Sequence, residues 1–219
     1  MILDLHVHSV FSQDSPVEVE EYARKTIELQ RDINISGFVL MEHNYLVGGE
    51  DCGLAAIGEK YGIVVLAGVE VDTYWGHMLV YGMDDNLWDR LQNSLKPGSK
   101  KVDPEMLAQS VAEEQDMVLV PAHPYRFFIG AGDRCASLPG VRAVEVLNGA
   151  NEDAENYAAL ELAAKEGLAM TGGSDAHFLP ELGKCLTELE KDISSMPELV
   201  AEIKAGGCRA LTREQALKA

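Results

Sequence analysis

Apolar runs along this chain repeatedly end in residue types that bind metal ions, and this repetition constrains the fold more than any other feature. The first run, 2–5, leads into His6-Val7-His8. Residues i and i+2 of a strand point to the same side, so His6 and His8 project together from the strand end. Such a pair alone is more often an ordinary surface or core feature than a metal site. The remaining runs therefore have to decide its role.

Strand-like and helix-like segments alternate through most of the sequence, which is typical of β-α units around a parallel sheet. Strands are predicted over 2–5, 37–41, 63–69, 78–81, 117–120, 143–147, 168–171, 185–189 and 208–211, and helices over 16–31, 50–61, 104–115, 153–166 and 196–205. Ser15 and Pro16 are expected as cap and first-turn residue of the first helix. At 219 residues without a composition break, the chain is expected to form one domain, 1–219, a natural length for a single α/β barrel.

One segment departs from simple alternation, because His77 precedes the strand 78–81 instead of following it. In a purely parallel sheet, His77 would lie at the wrong end. A tight hairpin over 72–75 would reverse the chain and bring His77 back beside Glu70. The sequence therefore predicts an antiparallel hairpin at this point.

All six histidines occupy the strand ends or this hairpin. The carboxyl ends of parallel strands share one face, and in β/α folds that face carries the site. Structural histidines would be scattered over helices and loops as well. The metal interpretation is therefore favoured, and the candidate ligands are His6, His8, Asp14, His43, Glu70, His77, His123, Asp175 and His177.

This set is too large for one ion that keeps three or four protein ligands and an open position. Two or three ions are expected, and a carboxylate shared between two of them is the usual way of holding a pair close together. Glu70 is placed for that shared role. Imidazole and carboxylate suit zinc, manganese and iron alike, so the metal stays open.

The charge balance bears on possible partners. Asp and Glu total 36 against 18 Lys and Arg, a formal charge of −18. Such a surface repels long nucleic acids and anionic membranes, but it permits a small anionic substrate. No apolar run approaches a membrane span, no signal peptide is expected, and the four cysteines are expected to stay reduced in a cytoplasm. The oligomeric state stays open.

Other motifs predict little. Gly130-Ala131-Gly132 follows no strand and lacks the third glycine of a dinucleotide site. The serines form no nucleophile elbow, and no cysteine shares a motif with a histidine. A partly helical excursion and a polar loop are expected over 84–104. The candidate metal ligands therefore remain the best-supported functional residues of the chain.

Taken together, these residues resemble the PHP family, the polymerase and histidinol phosphatase superfamily. The motifs are Asp4-Leu5-His6-Val7-His8-Ser9, Glu42-His43-Asn44, Gly68-Val69-Glu70, Gly76-His77, Ala122-His123-Pro124 and Gly173-Ser174-Asp175-Ala176-His177, in the family's order. The resemblance implies a distorted seven-stranded (β/α) barrel, similar to a TIM barrel, with the site at the C-terminal face of the strands. It also implies a trinuclear centre for phosphoester hydrolysis.

The family's ligand scheme implies three groups on the matching positions. His6, His8, Glu70 and Asp175 would hold the first metal; Glu70, His77 and His123 the second; Asp14, His43 and His177 the third. Many members have Asp where this chain has Glu42, and Asp-Gly where it has Asp14-Ser15. Residues 178–219 resemble the short C-terminal extension of some stand-alone members, which fits a free-standing protein.

The expected chemistry follows from this arrangement. Two close cations lower the pKa of a water between them, so that a metal-bound hydroxide attacks phosphorus, and they neutralise the phosphoryl oxygens. Glu70 and Asp175 are the catalytic carboxylates in this interpretation. Arg126 is the candidate for a forked contact with phosphate, the alternative being an arginine paired with a carboxylate. Lys100 and Lys101 form a basic loop that either closes over substrate or is simply solvated.

The leading hypothesis is a metal-dependent phosphoesterase acting on a small phosphorylated metabolite or a nucleotide. One alternative is an exonuclease on oligonucleotide ends, which the acidic balance disfavours. An amidohydrolase also opens with His-X-His, but it lacks this Gly-Val-Glu and Ser-Asp-Ala-His combination. The non-enzymatic alternative is a metal-stabilised regulatory or binding module, whose mark would be missing ligands.

Overall fold

The structure, a computed structural model, describes residues 1–48, 53–96 and 98–218. Its strands are β1 Ile2–Val7, β2 Ile35–His43, β3 Val64–Thr73, β4 Gly76–Tyr81, β5 Val118–Pro121, β6 Ala143–Asn148, β7 Ala169–Gly173, β8 Cys185–Leu189 and β9 Cys208–Thr212. Its α-helices are α1 Val19–Leu29, α2 Leu54–Tyr61, α3 Asp85–Asn93, α4 Pro104–Ala112, α5 Asp153–Glu166, α6 Met196–Ala205 and α7 Arg213–Ala216. Short 3-10 helices cover Gly132–Ser137 and Leu179–Glu181.

The fold is mixed α/β, with a curled seven-stranded sheet in the order β5-β4-β3-β2-β1-β8-β9 and a separate pair, β6-β7. The pairs β1-β2, β2-β3 and β6-β7 are parallel. The pairs β3-β4, β4-β5, β1-β8 and β8-β9 are antiparallel. The parallel sheet that alternation predicts is therefore mixed. A tight turn after β3 reverses the chain into β4, and the connection through α6 returns β9 antiparallel to β8.

The predicted hairpin is confirmed. β3 and β4 pair antiparallel from Val69 opposite Val80 to Thr73 opposite Gly76, and His77 lies opposite Asp72. The turn is closed by Thr73, whose hydroxyl donates to the carbonyl of Gly76 over 2.6 Å. The reversal brings His77 to the same end of the sheet as Glu70.

Strand β7 approaches β1 through a few bonds at its end. The backbone N–H of Asp175 donates to the carbonyl of His6 over 2.7 Å, and that of His8 donates to Ala176 over 2.9 Å. A single bridge between Val7 and Ala176 is the only β1-β7 strand pairing among the described residues. The described strands thus form a curled half-barrel, and the second sheet meets it through these contacts.

Gly173 permits this close approach. A Cβ placed on Gly173 would lie 2.4 Å from the Cβ of His6 and 2.9 Å from its backbone nitrogen. Backbone atoms cannot yield at such distances, so any side chain would push β7 away from β1. Glycine at this position therefore sets the spacing between the two strands that carry His6 and Asp175.

We expect Gly173→Ala to lower the free energy of unfolding by about 1–3 kcal/mol, as an overpacked core does. Urea unfolding followed by circular dichroism measures the change. Gly48→Ala is the matched control, because a Cβ on Gly48 would meet no atom within 4 Å. Equal stability of the two variants would show that β7 can shift at no cost.

Two apolar cores flank the main sheet, and alternate residues of β2 divide between them. Phe38 and Leu40 pack with Tyr22 of α1 in one core. Val39 and Met41 pack with Leu79 and other strand residues in the second, which fills the concave side of the sheet. This alternation, with period 2, is what the strand pattern predicts.

Some element boundaries differ from the sequence prediction. Helix α1 begins at Val19, not at 16, and Glu18 caps it in a capping box with Glu21. Ser15 serves instead as a donor from its hydroxyl to the carbonyls of His8 and His177, at 2.9 and 3.0 Å. The predicted helix 50–61 is observed from Leu54, and its first residues lie outside the described part of the chain.

The structure bears on two expectations from composition, the absence of a membrane span and the reduced state of the cysteines. None of the described helices combines the length and the hydropathy that crossing a bilayer requires. Cys135, Cys185 and Cys208 are free thiols. Cys52 lies outside the described residues, as does Pro97 of the polar loop.

Candidate metal centre

His6 and His8 end β1 side by side, with their Nε2 atoms 3.0 Å apart and both rings buried. Glu70 Oε2 lies 3.4 Å from Nε2 of His6 and 3.3 Å from Nε2 of His8. Asp175 Oδ1 lies 3.5 and 3.1 Å from the same two atoms. Ligand atoms around a tetrahedral zinc ion are separated by about 3.4 Å, so the spacing of each carboxylate oxygen from the two imidazole nitrogens fits ligands that share an ion.

Hydrogen bonds orient three of the imidazoles. Nδ1 of His6 lies 2.9 Å from Oε1 of the buried Glu145, and Nδ1 of His8 lies 3.3 Å from Oγ of Ser12. Nδ1 of His177 lies 3.0 Å from the carbonyl oxygen of Asp175. A proton on Nδ1 in each ring leaves the Nε2 lone pair free to face the cluster, the arrangement that metal-binding histidines need.

Glu70 lies at the middle of the cluster and is fully buried. Its Oε1 is 2.9 Å from Nδ1 of His77 and 3.1 Å from Nε2 of His123. Its Oε2 is 3.0 Å from Nδ1 of His43, yet it accepts no hydrogen bond. An ionised buried oxygen without a hydrogen bond is costly in an apolar interior. A cation bound to Oε2 of Glu70 would remove that cost, so the carboxylate and the imidazoles around it fit a metal ion.

A third group lies nearer to solvent. Oδ2 of Asp14 is 3.4 Å from Nε2 of His43 and 3.3 Å from Nε2 of His177. The Asp14 side chain is 52% exposed, in contrast to the buried pair on β1. This outer group therefore faces the water-filled side of the site.

The structure brings all nine predicted ligands into one connected cluster. Three sets have ligand atoms within 4.8 Å of one another, namely His6-His8-Glu70, His8-His43-His177 and His43-Glu70-His77. The sets overlap, and His43 belongs to two of them, whereas the resemblance divides the ligands differently. The division among individual ions, and the role of each residue as a ligand, stay predictions.

The charges of the cluster are strongly coupled. Burial lowers the pKa of the His8 imidazole, but Asp175 and Glu70 outweigh it and raise the pKa to about 9. Burial also opposes ionisation of Glu70 and Asp175, yet contacts with the imidazoles hold both carboxyl pKa values well below their usual range. In the metal-free protein at neutral pH, His8 therefore carries a proton that a metal ion has to displace.

We expect the apparent metal affinity to rise about tenfold per pH unit between pH 6 and 8 for each proton displaced, because His8 is protonated below its raised pKa. The contribution of His8 to this gain should level off near pH 9, where His8 of the metal-free protein loses its proton. Burial lowers the pKa of His6 as well, but Asp175, Glu145 and Glu70 raise it above its usual range, so His6 adds a proton of its own. Chelator competition at a series of pH values measures the affinity. A flat profile would contradict the assignment of His8 as a ligand.

Arg126, the predicted phosphate contact, lies beside the cluster. Its Nη1 is 2.6 Å from Oδ2 of Asp175, and its Nε donates to Oδ1 of Asn151 over 2.8 Å. Nη2 donates to the side-chain oxygen of Asn148. The guanidinium is thus paired with a carboxylate and fixed by two amides at the edge of the site, and its contact with phosphate stays a prediction.

Two carboxylates behind the histidines were not among the predicted site residues. Glu145 sits inside β6, and its Oε2 accepts from the backbone N–H of His123 and from Asn148, both over 2.9 Å. Its position within a strand, not at the end, gave no sequence signal. Asn148 at the end of β6 donates to Glu145 and accepts from Arg126.

The other carboxylate is Glu42, at a position where many members of the family that this chain resembles have Asp. Its oxygens accept from the backbone N–H of Ser9 at 3.0 and 3.1 Å and from the hydroxyl of Ser12. Ser12 in turn meets Nδ1 of His8 and accepts from the backbone N–H of His43 over 3.1 Å. Glu42 therefore supports two predicted ligands through a serine.

Three residues of the site have a left-handed backbone that side chains rarely adopt. The φ angles are 48° for Asn44, 28° for His123 and 54° for Asp175. Such conformations cost of order 1–3 kcal/mol each and persist where surrounding contacts fix them. The strain falls at the ends of β2, β5 and β7, where the chain turns to aim side chains into the cluster.

Comparisons with known proteins agree with this picture. The family model PHP_C, described as PHP-associated, matches residues 153–208, which begin upstream of the predicted extension 178–219. No curated protein matches the sequence.

Three solved structures share the fold at 18% identity. A protein from Bifidobacterium adolescentis assigned as a metal-dependent phosphoesterase has a TM-score of 0.56, over 94% of this chain and 96% of that one. The lesion-specific endonuclease PfuEndoQ from Pyrococcus furiosus has a TM-score of 0.61, over 96% of this chain and 58% of that one. An amidohydrolase from Chromobacterium violaceum with bound sulfate has a TM-score of 0.62, over 96% of this chain and 98% of that one.

Proposed function

We propose that the chain is a hydrolase of the PHP superfamily, specifically a metal-dependent phosphoesterase acting on a small phosphorylated metabolite or nucleotide; the PHP-associated family model that matches residues 153–208 supports this proposal. The observation that carries the proposal is the buried group of His6, His8, Glu70 and Asp175, in which each carboxylate has an oxygen within 3.5 Å of both imidazole nitrogens. Glu70 extends this group to His77 and His123, as a second ion requires.

The proposed centre holds two or three divalent ions of zinc, manganese or iron. When bound, such ions neutralise charge on phosphoryl oxygens and lower the pKa of water. His43, His177 and Asp14 would hold the third ion on the exposed side of the cluster. In the same proposal the seven strands β1 to β7 close as a distorted barrel, with β7 next to β1 and β6 next to β5.

The residues of the chain supply positioning. Asp175 divides its oxygens between Nε2 of His8 and the guanidinium of Arg126. Because Asn148 and Asn151 hold that guanidinium, its remaining N–H groups face a fixed direction beside the centre. A phosphoryl oxygen arriving there would meet a charged, forked donor, which is the geometry that phosphate prefers.

A metal-replete screen tests the function directly. The full chain, with its metal content measured by elemental analysis, is given phosphorylated metabolites and short oligonucleotides, and phosphate or nucleotide release is recorded. Two or more metals per chain and phosphate release support the proposal. Release of nucleotides from oligonucleotide ends would favour the exonuclease alternative, and bound metal without any turnover would favour the non-catalytic module.

We expect His123→Ala to lower the kcat/KM of this activity by about a hundredfold, because its imidazole reaches Glu70 Oε1 from a strained turn after β5. Phe127→Ala is the control on the same loop, since the Phe127 side chain is exposed. Turnover of an aryl phosphate measures both. Unchanged turnover of the His123 variant would place the activity elsewhere.

A further inference from the structure

A cavity of about 600 Å³ opens beside the outer part of the metal centre. Its floor includes Asp14 and His43 of the predicted third group, and its walls include Phe11, Tyr45, Leu95 and Lys100. Ligand pockets for small molecules have volumes of about 300–1,000 Å³. The cavity is therefore large enough for a group of nucleoside size attached to a phosphate at the centre.

A series of contacts connects Arg126 with the cavity. Arg126 binds Oδ2 of Asp175, and Oδ1 of Asp175 faces His8. The His8 ring stacks on His43 and His177 at centroid distances of 4.5 and 4.3 Å. These two rings lie within 3.4 Å of Asp14, which lines the cavity, so a phosphoryl group bound at the centre has the cavity beside it on the Asp14 side.

The wall of the cavity is aromatic. The rings of Phe11 and Tyr45 are nearly parallel, with an interplanar angle of 12° and centroids 6.1 Å apart. Tyr45 is 46% exposed although it follows the strand that carries His43. An exposed aromatic ring beside a site of this kind provides a surface on which another planar group stacks. Leu95 adds apolar surface to the lining.

The charged residues of the cavity limit the charge of the group that it can bind. Its charged lining residues are Asp14, Asp72 and Lys100, two carboxylates against one ammonium group. Oδ1 of Asp72 also lies 3.2 Å from Nε2 of His77. A substituent with several negative charges would meet like charge here, whereas a neutral planar group would meet ring faces and apolar surface.

We propose that this cavity binds the leaving group of the phosphoester and selects a neutral aromatic one by stacking on Tyr45 and Phe11. The inference rests on the proposed phosphoesterase function and adds its substrate class. In the reaction, a water oxygen bonds to phosphorus and the ester P–O bond breaks. The aromatic alcohol departs with the electron pair of that bond, and its oxygen takes up a proton.

Two matched phosphonates test this subsite. Benzylphosphonate and cyclohexylmethylphosphonate have the same carbon skeleton, and only the first has a planar ring. We expect the metal-loaded full chain to bind benzylphosphonate about fivefold more tightly by calorimetry, the size of an aromatic stacking preference. Tyr45→Leu and Phe11→Leu should each reduce this ratio and together abolish it, whereas Tyr45→Phe should retain it. Tyr157→Leu, at an exposed aromatic residue on α5, is the matched control.

Turnover of the corresponding phosphate esters separates the two claims. A binding preference without hydrolysis of either ester would leave the subsite standing and remove the proposed activity. Hydrolysis of both esters at equal kcat/KM, with equal phosphonate affinities, would leave the activity and overturn the subsite. Absence of phosphonate binding, or a preference that survives the double variant, would also overturn the subsite.

Discussion

Glu70→Ala is expected to leave the chain with fewer than two tightly bound metal ions and to lower phosphoesterase kcat/KM by about a thousandfold or more. The reason is the central position of this carboxylate. Its two oxygens lie within 3.4 Å of five imidazoles, those of His6, His8, His43, His77 and His123. The other described carboxylates of the predicted ligand set lie near fewer imidazoles. Asp175 lies near those of His6, His8 and His177, and Asp14 near those of His43 and His177.

Elemental analysis after dialysis measures the metal content of this variant, and circular dichroism verifies its fold. Glu70→Gln separates charge from shape, since the amide keeps the volume but cannot bridge two cations as an anion does. Glu188→Ala is the control, because Glu188 pairs with Arg209 on β8 and β9 away from the cluster. A Glu70→Ala protein with full metal content would refute the shared-carboxylate arrangement.

The second large effect is expected at Glu145. Replacement by alanine removes the acceptor for Nδ1 of His6 and the support for the strained backbone of His123. Loss of such an outer carboxylate typically costs tenfold to a hundredfold in metal affinity. We therefore expect metal affinity to fall by about that factor, with a smaller effect on the kcat of the saturated enzyme.

Chelator competition measures this affinity, and a metal titration of turnover separates weak loading from defective chemistry. Glu145→Gln keeps one acceptor oxygen and is expected to lie between wild type and alanine. Activity that stays low at saturating metal would show that Glu145 acts on more than metal binding. An unchanged affinity would mean that His6 needs no partner on Nδ1.

The elements that place the ligands were predictable because their signals are local. Apolar runs of strand length end at His43, His123 and Asp175, and β/α alternation brings such ends to one face. The hairpin before His77 was also predictable, since a histidine ahead of a strand reaches Glu70 only if the chain reverses. Helix α5 has the bounds that the sequence predicted. Its C-terminal bound was signalled by Gly167, which ends the helix in a left-handed conformation.

The support behind the ligands was less predictable because it depends on contacts between distant residues. Glu145 looks like an ordinary polar residue of a strand, and only the pairing of β6 with β7, whose end meets β1, places it beside His6. The contact of Arg126 with Asp175 depends on the conformation of a loop. Likewise, the antiparallel pairing of β8 with β1 is a choice between sheet edges that periodicity does not encode.

The bond between Asp175 N–H and the carbonyl of His6 has a consequence for synthesis of the chain. The two residues are 169 positions apart, and a ribosome adds about 5–20 residues per second. His6 therefore waits on the order of 8–35 seconds for its partner. Glu70 is added partway through that interval, and from then until Asp175 is made the nascent chain carries His6, His8 and Glu70 without the fourth member of their group.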